Sequence, residues 1–281
     1  MLDGRTGDQG DAVTQATRAA NLDVVVISLA TSTERRGKIA EQFKDIKSDW
    51  SFFDAHTELR HPELEYDANF VESTFGRPLS EPELAIWSSH YTVVTDFLEK
   101  SDSDYLLVFE DDVILDTALP LAPVLDFCAD RGLHYLRLFG MYAAPSVQLS
   151  YLFNRSIIRY RSSPSGLQAY ILSREGARRI ARACRRIATS VDLAFDEFWK
   201  TGLPIYALFP FPVIERFSPS SNSIGPDSEF TASGRARLLA HRVARKLRKL
   251  RANLALTGAD ARFRRTALGF EQIRQDHMGE P

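Results

Sequence analysis

The chain has 281 residues, 44% hydrophobic and 26% charged, with a formal net charge of -2. That suffices for one large α/β domain or two small ones, and the overall charge favours neither nucleic acid nor a membrane surface. The two cysteines, Cys128 and Cys184, lie in apolar stretches; they exclude a disulfide framework and a cysteine-ligated zinc site, and fit a reducing compartment. No apolar run is long enough to span a membrane. Residues 1–21 are polar, without the basic start and apolar middle of a secretory signal, and read as a disordered lead-in, so the chain is expected in the cytoplasm.

The first element is a strand at Val24 to Leu29, whose unbroken apolar run fits burial on both faces. Thr31, Ser32 and Thr33 offer caps for a helix from about Glu34 to Asp45. Ser51 to Phe53 reads as a short strand ending at Asp54. Glu58 to Leu79 has no clear period and is expected to be irregular. Ser80-Glu81-Pro82-Glu83 starts a helix, with proline in the first turn and acids at its positive end, running through Leu98. Tyr105 to Phe109 is a second buried strand, running straight into Glu110-Asp111-Asp112. A helix over Ala118 to Asp130 and a strand over His134 to Phe139 follow. Met141 to Ser165 reads as irregular, with a hairpin at Tyr151 to Tyr160, and its Arg155, Arg159 and Arg161 are candidates to close over a ligand. Then come a strand at Ala169 to Leu172, a helix capped by Ser173 to about Ile187, a shorter helix over Asp192 to Lys200, a strand at Ile205 to Leu208, and a Pro/Ser-rich exit through Gly225.

Strands alternating with helices predict a mostly parallel, Rossmann-like central sheet with helices on both faces. Such sheets bind ligands at the carboxyl ends of their strands, where the acidic triplet sits. The domain is expected over 22–225. Over 226–281 the composition changes: from Arg235 to Arg265 there are eleven lysines and arginines and one acid. Leu239, Val243, Leu247, Leu250 and Leu254 fall on one helical face among the basic residues. This predicts a basic amphipathic helix suited to an anionic membrane surface. The near absence of aromatic residues there argues against nucleic acid as the partner.

Three carboxylates at the end of a buried strand repel one another, and a hard divalent cation held by oxygen ligands relieves that repulsion. The alternative is a solvated turn. A phosphoryl-transfer enzyme is disfavoured because no Gly-rich phosphate loop with lysine is present. A non-catalytic sugar-nucleotide-binding module would have little use for an intact triplet.

Four blocks in order, across roughly residues 23 to 225, resemble glycosyltransferase family 25, which includes lipooligosaccharide-type and collagen galactosyltransferases. They are Val25-Val26-Ile27-Ser28-Leu29 with Arg35-Arg36; Glu83 with Ser89-His90; Phe109-Glu110-Asp111-Asp112-Val113; and Gly166 through Ala169-Tyr170 to Ser173, with Gly176-Ala177. The sequence departs from the family pattern in carrying Ser28 where asparagine is usual, and at Leu167, Ala85 and Ile86. The resemblance implies a GT-A-type fold and an inverting hexosyltransferase, most often using UDP-galactose, with Mn²⁺ or Mg²⁺ as cofactor and a saccharide or glycolipid as acceptor.

On that resemblance Asp112 is the expected metal ligand. Glu110 is expected to hold the ribose or a metal-bound water and is a second metal candidate, and Asp111 is able to exchange roles with either. Asp192 is the expected base for the attacking hydroxyl, with Asp196 and Glu197 as alternatives. Donor contacts are expected from Ser28, Arg35 or Arg36 at the diphosphate, Asp54 at uracil N3–H, Glu83, Ser89 and His90, Gly166 and Tyr170, and Ser223 in the closing Ser-Ile block.

Overall fold

The structure, a computed structural model, describes residues 20–46, 48–216 and 232–277. In chain order the elements are β1 (Leu22–Ser28), α1 (Thr33–Gln42) with a 3-10 turn after it, β2 (Trp50–Asp54), α2 (Ala68–Phe75), α3 (Glu81–Lys100), β3 (Tyr105–Glu110), β4 (Val113–Leu115), α4 (Leu121–Arg131) and β5 (Tyr135–Arg137). Then follow β6 (Ser146–Leu152), β7 (Arg155–Tyr160), β8 (Ala169–Ser173), α5 (Arg174–Ala183), α6 (Val191–Phe195), α7 (Phe198–Thr201), β9 (Tyr206–Phe209), β10 (Val213–Glu215) and α8 (Ala232–His277). Eight strands form one sheet in the order β2-β1-β3-β8-β5-β9-β7-β6, and β10 pairs with β4 in a small ribbon.

The fold is α/β, but the sheet is mixed rather than mostly parallel. β1 pairs in parallel with β2 and β3, and β5 with β9. β8 runs antiparallel to β3 and β5, and β7 antiparallel to β6 and β9. The reason lies between Arg137 and Ala169. No helix occupies that stretch, and without a crossover helix successive strands are free to reverse. The hairpin expected there is present, as β6 and β7, and two of its three arginines are engaged within the fold. Arg159 is buried and pairs with Asp260 of α8 through two bonds of 2.7 Å. Arg155 binds Asp116 and the Pro210 carbonyl.

Both faces of the sheet are covered, which is why β1 and β3 are apolar without alternation. Leu106 and Val108 of β3 pack with Val71, Trp87, Tyr91, Val94, Ala177, Ile180 and Phe195, from α2, α3, α5 and α6. Leu107 and Phe109 pack on the other face with Ile39, Phe43, Val113, Val124 and Cys128, from α1, β4, α4 and the turn after α1. Both cysteines are free and buried, and burial pushes each thiol up to about 12.

Two local devices fix the helices that bear the site. Ser80 and Glu83 form a capping box at the start of α3, with Pro82 in its first turn. Gly176 lets α5 lie against β5, since a Cβ there would stand 2.1 Å from the His134 carbonyl oxygen. The stretch expected as a C-terminal helix is α8, laid across α2, α7 and β6. Among the described residues no helix is long and apolar enough to cross a membrane.

Candidate active site

The carboxyl ends of β1 and β3 lie side by side, with Ile27 in register with Glu110, and open into a cavity of about 420 Å³. Ser28, Arg35, Ser89, His90, Glu110, Asp111 and Asp112 all line it. A larger cleft, about 740 Å³, lies at the amino ends of β1 and β3 and holds none of the triplet; ligands of open α/β sheets bind at the carboxyl ends.

The three carboxylates have different surroundings. Asp111 is satisfied: it accepts from Ser28 Oγ at 2.6 Å and Arg35 Nη1 at 3.1 Å. Glu110 Oε1 lies 3.3 Å from His90 Nε2, and His90 Nδ1 lies 3.0 Å from the Tyr170 hydroxyl. Tyr170 is fully buried, and burial first, then Glu110, raises its pKa, so the phenol stays protonated. A buried phenol donates where it can, so Nδ1 accepts and Nε2 carries the hydrogen toward Glu110. Asp112 Oδ1 is buried and has no hydrogen-bond partner among the described residues. Burial, then Glu110, Glu215 and Asp111, push the Asp112 carboxyl up to about 7, against the opposing pull of Arg35. The Arg35 guanidinium stands 3.7 Å from Asp112 Oδ2.

Gln168 and Glu215 also line the cavity, and neither was singled out by its residue type. Gln168 faces the triplet because β8 continues its pairing with β3, with the Glu110 N–H donating to the Gln168 carbonyl at 2.9 Å. Gln168 Oε1 is a second buried acceptor without a partner among the described residues. Its signal was its place inside the Gly166 to Tyr170 block. Glu215 arrives from β10, and the next residue, Arg216, donates its N–H to the Asp112 carbonyl; nothing near Glu215 in sequence marks it.

The other expected residues fall around this centre. Ser89 Oγ binds the backbone of the facing loop, accepting the His56 N–H at 2.9 Å and donating to the Ala85 carbonyl at 2.8 Å. Arg36 binds the Ser28 carbonyl and Asp54 and lies over the Phe52 ring, so Arg36 and Asp54 engage each other and are not lining residues. Glu83 is occupied with Arg77 and Ser80 at the start of α3. Ser223 lies outside the described residues.

The three candidate bases separate clearly. Asp192 Oδ2 accepts the Gly166 N–H at 3.1 Å, and Oδ1 has no hydrogen bond among the described residues; Asp192 itself is not a lining residue of the cavity. Asp196 is a correction to the sequence expectation. It turns inward, ends α6, and accepts from Arg137 at 3.0 Å, Tyr135 at 2.9 Å and Ser163 at 2.6 Å. With 1% exposure and its oxygens engaged, it has no access to an acceptor hydroxyl. Glu197 pairs with Arg245 of α8 and faces a different cleft.

Gly166, whose N–H holds Asp192, is two residues before Gln168 of the cavity lining. Its φ is +72°, and a Cβ would come within 2.4 Å of Gln168 Oε1 and 2.8 Å of the Phe139 ring. Gly166→Ala should cost about 1–2 kcal/mol in backbone strain. It should lower the melting temperature by several degrees, measurable by differential scanning fluorimetry; an unchanged melt would mean the loop relaxes freely.

The donor set suits a hard cation. Its atoms are all oxygens, and two buried acceptors lack donors among the described residues. Among the described residues no three ligating side chains converge into a cage made by protein alone.

The family model described as "Glycosyltransferase family 25 (LPS biosynthesis protein)" matches residues 21–199, the stretch that supplies every lining residue of the cavity except Glu215. The chain is therefore a glycosyltransferase. It belongs to glycosyltransferase family 25. It is similar to the lacto-N-neotetraose biosynthesis glycosyltransferase LgtE of Neisseria gonorrhoeae, 31% identical over 225 residues, 73% of this chain and 79% of that protein. The LgtE protein of Neisseria meningitidis serogroup B is likewise 31% identical, with the same coverage of each chain. The lipooligosaccharide biosynthesis protein lic2B of Haemophilus influenzae is 25% identical, covering 61% of this chain and 66% of that protein.

Proposed function

We propose that this chain transfers a hexose, with galactose the first expectation, from a UDP-sugar to a saccharide of a lipooligosaccharide or other surface glycan, inverting the anomeric carbon on a GT-A-type scaffold. The observation that carries this reading is the unpartnered, buried Asp112 Oδ1 beside Glu110 in a cavity edged by Arg35. The names of the relatives, lacto-N-neotetraose and lipooligosaccharide biosynthesis, support the acceptor class.

In this reading Asp112 and Glu110 would hold Mn²⁺ or Mg²⁺, which supplies charge neutralisation for the departing diphosphate. Arg35, anchored on Asp111, offers its guanidinium to the phosphate oxygens. Ser28 fixes the Asp111 end of that pair. The Tyr170–His90 pair orients Glu110 by directing the Nε2 hydrogen at it. Gln168 Oε1 is an acceptor for a sugar hydroxyl. Asp192 Oδ1 takes the proton of the acceptor hydroxyl as it attacks opposite the diphosphate. The test is incubation with UDP-galactose, UDP-glucose and other UDP-hexoses, Mn²⁺ and a lactoside or lipooligosaccharide acceptor, with products read by mass spectrometry and the linkage by NMR. A β-linked product from one donor supports the reading; no transfer from any donor defeats it.

We also infer that α8 rests on an anionic membrane at the cytoplasmic side, near a lipid-linked acceptor. Leu239, Val243, Leu247, Leu250 and Leu254 are 47–65% exposed. Leu238, Leu256 and Asp260 face the body instead. Wild type is expected to sediment with phosphatidylglycerol vesicles and Leu247→Glu/Leu250→Glu to remain in the supernatant; equal sedimentation would refute the placement.

A further inference from the structure

A second cleft, about 780 Å³, shares no lining residue with the catalytic cavity. It lies where α8 crosses the body, and its chemistry is opposite to that of the triplet. Arg182 of α5 and Arg185 and Arg186 just beyond it meet Lys200 of α7 and Arg245 and Arg248 of α8 there. These six cations come from separate stretches of chain, so a single solvated helix face does not account for them.

Only two carboxylates line the described part of the cleft, Glu65 and Glu197. The Glu197 side chain, 12% exposed, is engaged by Arg245 at 3.0 Å. Arg182, Lys200 and Arg248 form no ion pair among the described residues. Arg186 lies flat on the Phe70 ring, 3.7 Å from guanidinium carbon to centroid, which holds its donors in place. The backbone beneath is pinned: the Glu65 N–H donates to the Arg185 carbonyl at 2.9 Å, the Ile187 N–H to the Glu65 carbonyl at 3.0 Å, and Thr74 Oγ1 to the Ala188 carbonyl at 2.8 Å. Five of the six are exposed, and Arg185 also stands 3.7 Å from Glu63; cations gathered around a concave place repel one another and focus positive potential on whatever enters. Planar guanidinium forks match tetrahedral oxyanions.

We propose that the cleft between α5, α7 and α8 is a binding site for a phosphate-bearing group, distinct from the donor site and formed only when α8 is docked. The phosphate can belong to a free phosphorylated molecule or to a lipid headgroup, and the chemistry is the same in both cases.

The test uses the full chain in chelator, titrated calorimetrically with inorganic pyrophosphate at moderate salt. Wild type and Asp112→Asn should bind it equally, which separates this site from the catalytic one. Arg182→Ser/Arg248→Ser, two exposed positions, should bind at least about tenfold more weakly while melting at the wild-type temperature. Phosphatidylglycerol vesicles that displace pyrophosphate from wild type identify a lipid headgroup as the source; vesicles that bind without displacing it identify a soluble phosphate. No binding by wild type, or equal binding by the double variant, overturns the proposal. Binding lost in Asp112→Asn but kept in the double variant does so as well, by placing the anion in the catalytic cavity.

Discussion

Asp112→Asn is expected to turn over no donor and, in chelator, to melt at a higher temperature than wild type at pH 8 but at the same temperature at pH 4. The first half follows from a buried carboxylate oxygen in the cavity, Asp112 Oδ1, that has no hydrogen-bond partner among the described residues. The second follows from linkage. In the folded chain Asp112 holds its proton up to about 7, through burial and the neighbouring Glu110, Glu215 and Asp111; in the unfolded chain it loses that proton in the ordinary carboxylate range. Between those two values the folded state binds more protons, so stability falls as pH rises and levels off above about 7. At about 1.4 kcal/mol for each tenfold change in the protonation equilibrium, the penalty at pH 8 reaches a few kcal/mol. Asparagine carries no such penalty, and its melt should be higher by at least about 3 °C at pH 8. Thermal melts across pH, paired with a turnover assay, check both halves. Identical melts at pH 8 would show that Asp112 is not a strained carboxylate.

Asp192→Asn and Asp196→Asn should fail in opposite ways. Asp192→Asn keeps the fold and the donor affinity but loses about 10²–10⁴ in turnover, the usual contribution of a positioned base. Asp196→Asn leaves the fully buried Arg137 guanidinium without its counter-charge. Breaking a buried pair by removing one partner costs about 3–5 kcal/mol, so the expected result is a lower melting temperature and poor recovery of folded protein. Denaturant melts and single-turnover kinetics distinguish the two. A stable Asp196→Asn protein that binds donor but does not transfer would move the base to Asp196.

Much of this site was legible because its residues follow directly from strand ends. Ser28 and Glu110 terminate buried apolar runs, and the capping box of Ser80 and Glu83 announces the helix that brings Ser89 and His90 to the same place. What escaped was set by distant partners. α2 is only eight residues long and fully buries only Val71, so it shows no clear period. β4 and β10 are three-residue strands that exist through each other, and with them comes Glu215. The single helix expected over Asp192 to Lys200 divides into α6 and α7 around Asp196, which turns to Arg137, a residue far away in sequence. Strand direction in the second half of the sheet was illegible for the same reason: β8 is an unbroken buried run as in a parallel sheet, while the missing crossover helix lets β7 and β8 reverse.

The most direct measurement is calorimetric titration of UDP-galactose and UDP-glucose into wild type and Asp112→Asn, each with Mn²⁺ and with chelator. The expected result is binding of one donor that requires both the metal and Asp112. Binding that persists in chelator, or in Asp112→Asn with undiminished affinity, would contradict the assignment of the triplet as a metal-assisted diphosphate site.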